Sequence, residues 1–260
     1  DAVQVYYSYS ISGEEPADPD ADSSLLGDSL VFPGINDSET DYIIKLLPIL
    51  SNGTITGDIR TISFTIDLVG PEIPVIRGVS NGKTYNRGVF VLPPLGFTDD
   101  VFLDISEIDG PLDPFDDNAI RFVSPYRLDV PEGSEKTFKL AIGAKDRADN
   151  RALNPEIYTI VIDRNPPSKP VLTGLPPGGI ARNDVELAIA SNYPTYYEIS
   201  TDGTLPSIPT ITSKKYEETL LVNGEAGREV LYTVRFLAFD EVGNGSSQSV
   251  ARFTIDLKEP

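Results

Sequence analysis

The sequence predicts an all-β chain built as a tandem array of β-sandwich modules, and three observations predict it. The first is a repeat. Ala144-Lys145-Asp146-Arg147-Ala148-Asp149-Asn150 matches Ala238-Phe239-Asp240-Glu241-Val242-Gly243-Asn244 at its framing positions, and Phe64-Thr65-Ile66-Asp67, Ile160-Val161-Ile162-Asp163 and Phe253-Thr254-Ile255-Asp256 form a second matching set. The strand-ending aspartates Asp67, Asp163 and Asp256 lie 96 and 93 residues apart, the size of one β-sandwich and far longer than the period of a helical solenoid. The second observation is alternation. Val185-Glu186-Leu187-Ala188-Ile189 and Tyr232-Thr233-Val234-Arg235-Phe236-Leu237 alternate as strands with one buried face do, and no window of twelve residues carries a helical apolar stripe. The third is proline at regular intervals: Gly70-Pro71-Glu72-Ile73-Pro74 and Asn165-Pro166-Pro167-Ser168-Lys169-Pro170 read as short, semi-rigid joints, because proline fixes its own φ and restricts its predecessor.

In chain order, residues 1–70 form a partial unit lacking its first strand or strands. Tyr7-Ser8-Tyr9-Ser10-Ile11-Ser12-Gly13 and Pro16 align without a gap on Tyr197-Glu198-Ile199-Ser200-Thr201-Asp202-Gly203 and Pro206. Tyr42-Ile43-Ile44-Lys45-Leu46-Leu47 is a strand, Asn52-Gly53 a turn, and Ile62 to Asp67 closes the unit. Residues 71–166 form a complete unit. It restarts at Pro74-Val75-Ile76-Arg77-Gly78 and runs through Val89 to Leu92, the strand and turn Leu103 to Asp109-Gly110, and Thr137 to Ile142. Residues 167–260 form the third, restarting at Pro170-Val171-Leu172-Thr173-Gly174.

Composition narrows the chemistry. The chain has no Cys, which removes disulfides and thiolate chemistry, and no His, which removes the usual general base and any serine triad. A net charge of −19 makes nucleic acid and anionic lipid poor partners. No apolar run reaches the length of a membrane span. Absence of disulfides fits a bacterial exported protein better than a eukaryotic secreted one. The opening at Asp1, already in a strand, and the Pro-containing close at Lys258-Glu259-Pro260 read as a piece of a longer polypeptide.

In the third unit Tyr196-Tyr197-Glu198-Ile199-Ser200-Thr201-Asp202-Gly203-Thr204-Leu205-Pro206, followed by Tyr232 to Asp240 and Gly243-Asn244, resembles the bacterial immunoglobulin-like domain of the chitobiase/β-hexosaminidase C-terminal type. The likeness covers the third unit, is weaker over the second, and is partial over the first, where Ile49-Leu50-Ser51-Asn52 stands in place of the Asp motif. The resemblance implies tandem immunoglobulin-like β-sandwich modules that are accessory, not catalytic: spacers, stalks and display modules in exported multidomain bacterial proteins of the cell surface, extracellular space or periplasm. Their partners would be neighbouring modules of the same polypeptide. A glycan- or host-protein-binding adhesin module is the alternative.

Candidate site residues follow from the residue types. Asp146 with Asn150, and Asp240 with Asn244, are expected to tie off a hairpin, since an Asp after a strand accepts from following backbone N–H groups and Gly-Asn turns the chain. No enzyme is expected: paired carboxylates are abundant, but nothing points to a deep cleft between them. For a metal, Ca2+ is the candidate, because it takes hard oxygen ligands from loops. Asp18, Asp20 and Asp22 alternate, and Asp113, Asp116 and Asp117 form a second group; the first is no EF-hand, because Ser23 occupies the obligatory glycine position. Solvated anionic surface is the plainer reading of both. For a sugar, Tyr6, Tyr9, Tyr193 and Tyr196 could stack rings if they faced outward, while Tyr7 and Tyr197 at matching positions would pack the same core.

Overall fold

The computed structural model describes residues 2–107, 110–154 and 156–259; Asp109 of the second Asp-Gly pair lies outside them. The protein is all-β, with immunoglobulin-like sheets in tandem and, among the described residues, a single turn of 3-10 helix at Pro177–Gly179. The strands are β1 (Val3–Ile11), β2 (Ser24–Leu25), β3 (Glu39–Leu50), β4 (Arg60–Asp67), β5 (Thr84–Tyr85), β6 (Val89–Val91) and β7 (Asp100–Ser106). They continue as β8 (Ile120–Arg121), β9 (Tyr126–Leu128), β10 (Glu135–Lys145), β11 (Arg151–Leu153), β12 (Tyr158–Asp163) and β13 (Val171–Thr173). The last are β14 (Ile180–Ala181), β15 (Val185–Ala190), β16 (Thr195–Ser200), β17 (Lys214–Tyr216), β18 (Thr219–Val222), β19 (Glu229–Ala238) and β20 (Ser249–Asp256).

The third unit shows the full pattern. One sheet orders β13-β15-β18 and the other β14-β20-β19-β16-β17, with β14 running parallel to β20 and the other pairs antiparallel. This is the two-sheet arrangement of immunoglobulin-like sandwiches. Period-two alternation sends Val185 and Leu187 of the small sheet into one core with Tyr232, Val234, Phe236, Ala251, Phe253 and Ile255 of the large one. The second unit repeats it. A sheet ordered β5-β12-β10-β7-β8 faces the pair β6-β9, and Val89, Val91 and Leu128 meet Leu103, Leu140, Ile142, Ile160 and Ile162. Gly78 and Gly174 occupy matching places after the Pro-Val restart, at φ +83° and +88°. A Cβ there would meet the Phe90 and Glu186 carbonyls, so the first segment crosses the next strand where only glycine fits.

The first unit has one sheet, ordered β2-β1-β3-β4. Its register is that of β17-β16-β19-β20: Tyr7 opposes Leu46 as Tyr197 opposes Phe236, and Tyr42 opposes Phe64 as Tyr232 opposes Phe253. Strands equivalent to β13, β14 and β15 are absent from the described residues, and the stretch aligned with β18, residues 29–32, is not a strand. Pro48 is tolerated within β3 because β4 pairs only up to Leu46, so no ladder bond is lost where proline has no N–H.

Two local devices recur between the first and third units. The Tyr42 hydroxyl donates to the Pro33 carbonyl at 2.7 Å and the Tyr232 hydroxyl to Asn223 at 2.8 Å, each nine residues back. This is the tyrosine corner that locks the entry to the central strand in such sandwiches. The loops 14–23 and 204–213 are likewise one structure: Asp20 N donates to Ser23 Oγ at 2.9 Å, and Thr210 N donates to Ser213 Oγ at 3.0 Å.

Candidate functional site: the joints between units

The Asp-Asn motif sits on the loop after β10 and again after β19. In the second unit Asp146 Oδ1 accepts from Ala148 N (2.8 Å) and Asn150 N (2.9 Å), and its Oδ2 accepts from Asn150 Nδ2 (2.9 Å). The third unit repeats the set: Asp240 Oδ1 accepts from Val242 N (3.0 Å) and Asn244 N (2.8 Å), and its Oδ2 from Asn244 Nδ2 (2.9 Å). The residue before each Asn takes positive φ, Asp149 at 67° and Gly243 at 90°. At the first of these, the Lys145 ammonium hydrogen-bonded to Asp149 holds that carboxyl below its ordinary pKa.

Each Asn amide also reaches out of its own unit. Asn150 Nδ2 donates to the carbonyl of Asp67, the last residue of β4, at 3.0 Å; Asn244 Nδ2 donates to the carbonyl of Asp163, the last residue of β12, also at 3.0 Å. The accepting aspartates are shaped alike, with Asp67 Oδ1 taking Val69 N and Asp163 Oδ1 taking Asn165 N, both at 2.9 Å. Carboxylate, amide and the neighbouring carbonyl therefore form one chain of hydrogen bonds across each proline joint. At the first joint, a Cβ on Gly70 would lie 3.3 Å from the Arg151 carbonyl; at the second, Gly243 adjoins the Asn86 side chain.

The first unit separates the two roles of this motif. Leu50 to Thr54 build the same turn: Leu50 N donates to the Thr54 carbonyl, Gly53 N donates to the Leu50 carbonyl, and Gly53 has φ 83°. Asp240 N and Gly243 N make the same two bonds. In the first unit Leu50 and Thr54 stand at the Asp and Asn positions, and Asn52 Oδ1 accepts from Thr54 N at 3.0 Å in place of the Asp carboxylate. What the Asn amide adds in the other two units is the bond to the preceding unit. The acceptor was not visible in the motif, since it is a backbone carbonyl some eighty residues upstream. The signal available was the coincidence of the motif with the strand-ending aspartates.

The other candidate residues are dispersed. Tyr9 lies on the open face of the first sheet, half exposed, stacked with Tyr7 at 6.4 Å and edge-on to Phe32 at 5.5 Å. Tyr6 points to the opposite face and donates to Gln4 Oε1 at 3.3 Å. Tyr196 packs edge-on to Phe239 at 5.8 Å, while Tyr197 turns into the third core. Tyr193 lines a crevice of about 400 Å³ at the second joint, with Asp163, Pro167 and Asp240. No flat aromatic platform gathers them.

Each acidic cluster is occupied with local bonds. Asp18 pairs with the buried Lys45 ammonium at 2.6 Å, joined there by Glu15 at 2.9 Å, and both contacts raise the Lys45 pKa. Asp20 Oδ1 accepts from Asp22 N and Ser23 Oγ; Thr210 Oγ1 accepts from Thr212 N at the matching place in the third unit. Asp113 Oδ1 accepts from Phe115 N, and Asp116 Oδ1 from Asn118 N and Ala119 N; Asp117 is exposed. Among the described residues no three acidic side chains converge as metal ligands. Carboxylates line a crevice of about 450 Å³ in the third unit, but Glu225 is paired there with Arg228 and Glu229 with Lys258.

No protein-family model matches the chain. No curated protein matches it. Among solved structures, the FN1–FN3 domains of chicken CNTN1 align over 99% of this chain and 89% of theirs, at 12% identity and a TM-score of 0.38. The BSP domain of a biofilm-associated protein aligns over 85% of this chain and 43% of its own length, at 12% identity and a TM-score of 0.24. No helix in the described residues is long and apolar enough to cross a membrane.

Proposed function

We propose that this chain is a non-catalytic spacer segment of an exported bacterial surface or periplasmic protein, built of immunoglobulin-like units of the chitobiase C-terminal-like type. Its partners are the neighbouring units of its own polypeptide, and its work is to hold them at fixed spacing and angle. The observation that carries this reading is the repeated clasp: both joints bind an Asn amide of one unit to the terminal strand carbonyl of the unit before it. A single such bond contributes about 1 kcal/mol net, enough to bias a joint roughly fivefold toward one geometry. Proline on the same short linker limits the alternatives the joint could otherwise visit. The net charge of −19 supports the reading by keeping a string of exposed sheet edges from self-association.

We assign Asp18, Asp20, Asp22, Asp113, Asp116 and Asp117 to turns and surface ion pairs, with no role for Ca2+ in the spacer. Small-angle scattering tests the proposal. The wild-type chain should give one extended particle whose maximum dimension is the same with millimolar calcium and with chelator. The N150A/N244A double variant should scatter as a broader distribution of dimensions. A wild-type profile already that broad, or an N150A/N244A profile identical to a narrow wild type, would sink the spacer mechanism. Specific retention on a glycan array would favour the adhesin reading instead.

A further inference from the structure

The first sheet has the same inner face as the third unit's large sheet, but not the layer that covers it. Ile62 is 47% exposed where its counterpart Ala251 is fully buried. Phe64 and Ile66 are half-buried where Phe253 and Ile255 are 1% exposed, and Tyr9 is half exposed. Phe32 fills part of the gap, contacting Tyr9, Tyr42 and Phe64 with centroids 4.9 to 5.5 Å apart. Two backbone edges beside this face are open. In the third unit β18 pairs with β15, whereas among the described residues no backbone hydrogen bond joins Leu30–Phe32 to another segment. In the third unit β14 lies parallel to β20 at Thr254 and Ile255, whereas β4, which carries the matching Thr65 and Ile66, is a sheet edge.

We propose that this face is a strand-acceptor site, which binds an extended segment of β15-like pattern, apolar at alternate positions, antiparallel to Leu30–Phe32. The occupant is defined by the two units that already carry it. There, Val89 and Val91, or Val185 and Leu187, fill this layer, and their strand leads into the one aligned with β1. An apolar face flanked by unpaired backbone groups is the arrangement into which a peptide adds as a strand: main-chain bonds give affinity, and alternate side chains give register. A second copy of the chain is the poorer occupant, because each copy carries a net charge of −19.

The test uses the whole chain and a synthetic peptide of its own residues 168–192. Saturable one-to-one binding is expected, with slowed hydrogen exchange at the Leu30–Phe32 amides. At a hundredfold excess over Kd, the melting temperature of the first unit should rise by roughly ten to twenty degrees. A peptide with Val185 and Leu187 both changed to Asp should do neither. In the chain itself I62D should abolish binding with the first unit still folded, since Ile62 is already exposed to solvent. The proposal is overturned if the native peptide leaves exchange and melting unchanged, if the Asp-substituted peptide works equally well, or if the chain alone protects these amides by concentration-dependent self-association.

Discussion

The first and third units place the same strands in the same register 190 residues apart, yet one is closed and the other open. Both keep the tyrosine corner, the loop that packs Pro16 or Pro206 beside the central strand, and the five-residue turn after that strand. They differ in the small sheet. Without it, Phe64, Ile66 and Ile62, whose counterparts Phe253, Ile255 and Ala251 are core in the third unit, are half-buried or exposed in the first, while Tyr42 stays buried under Phe32. What this teaches is that the local devices of the fold are autonomous, while burial is a property of two layers together.

The largest expected difference between the two is in the cost of removing a core ring. F253A should destabilise the third unit by about 3–5 kcal/mol, because the ring is 1% exposed and leaves a cavity between two sheets. Its counterpart F64A should cost roughly half as much, since a half-buried ring gives up less transfer energy and leaves no closed cavity. Urea unfolding of each variant, with tyrosine fluorescence and NMR separating the units, measures both. Equal costs would mean that the first unit is closed in solution.

A smaller effect should be equal in the two units. Y42F and Y232F each remove one hydroxyl bond to a backbone carbonyl and leave the ring in place, at about 1 kcal/mol. A large loss in one alone would show that the corner depends on the missing layer. The smallest difference is in acid. Asp202 accepts from the Thr204 hydroxyl at 2.6 Å and from Thr204 N at 2.9 Å, and the hydroxyl bond first among these holds its pKa below the usual 3.8. A carboxyl whose folded pKa is depressed contributes stability above its unfolded pKa, and loses it as pH falls from about 4 toward the lower folded value. The first unit has Ser12 at this place. The protection of amides near Gly203, measured as exchange relative to the intrinsic rate at each pH, should therefore fall as pH drops below about 4, with no matching change near Gly13.

The strands were legible in the sequence because a period of two is written into residues such as Tyr232, Val234 and Phe236, and the repeat fixed which segments are equivalent. Tyr7 aligns on Tyr197, which β15 precedes, and among the described residues no strand equivalent to β15 lies before β1. The clasp was half legible. Asp240 and Asn244 announce a turn, but their third partner is a carbonyl, and every residue has one, so no side-chain pattern could single out Asp163. The tyrosine corner shows the same limit, with Tyr42 and Tyr232 readable and their acceptors on Pro33 and Asn223 not. The aspartates of the loop after β1 were legible as acidic, but their turn bonds were not. Thr210 Oγ1 takes the Thr212 N–H where Asp20 Oδ1 takes the Asp22 N–H, so this turn needs an oxygen near the backbone and not a charge.

In the proposed spacer, the Asn amide fixes one unit against the next. Residual dipolar couplings test it most directly, since two units held rigidly share one alignment tensor. In the wild type the second and third units should fit a single tensor; in N244A, where the turn retains its Asp240 carboxylate but loses the bond to the Asp163 carbonyl, they should need two. Two tensors in the wild type, or one shared tensor that survives N244A, would contradict the account.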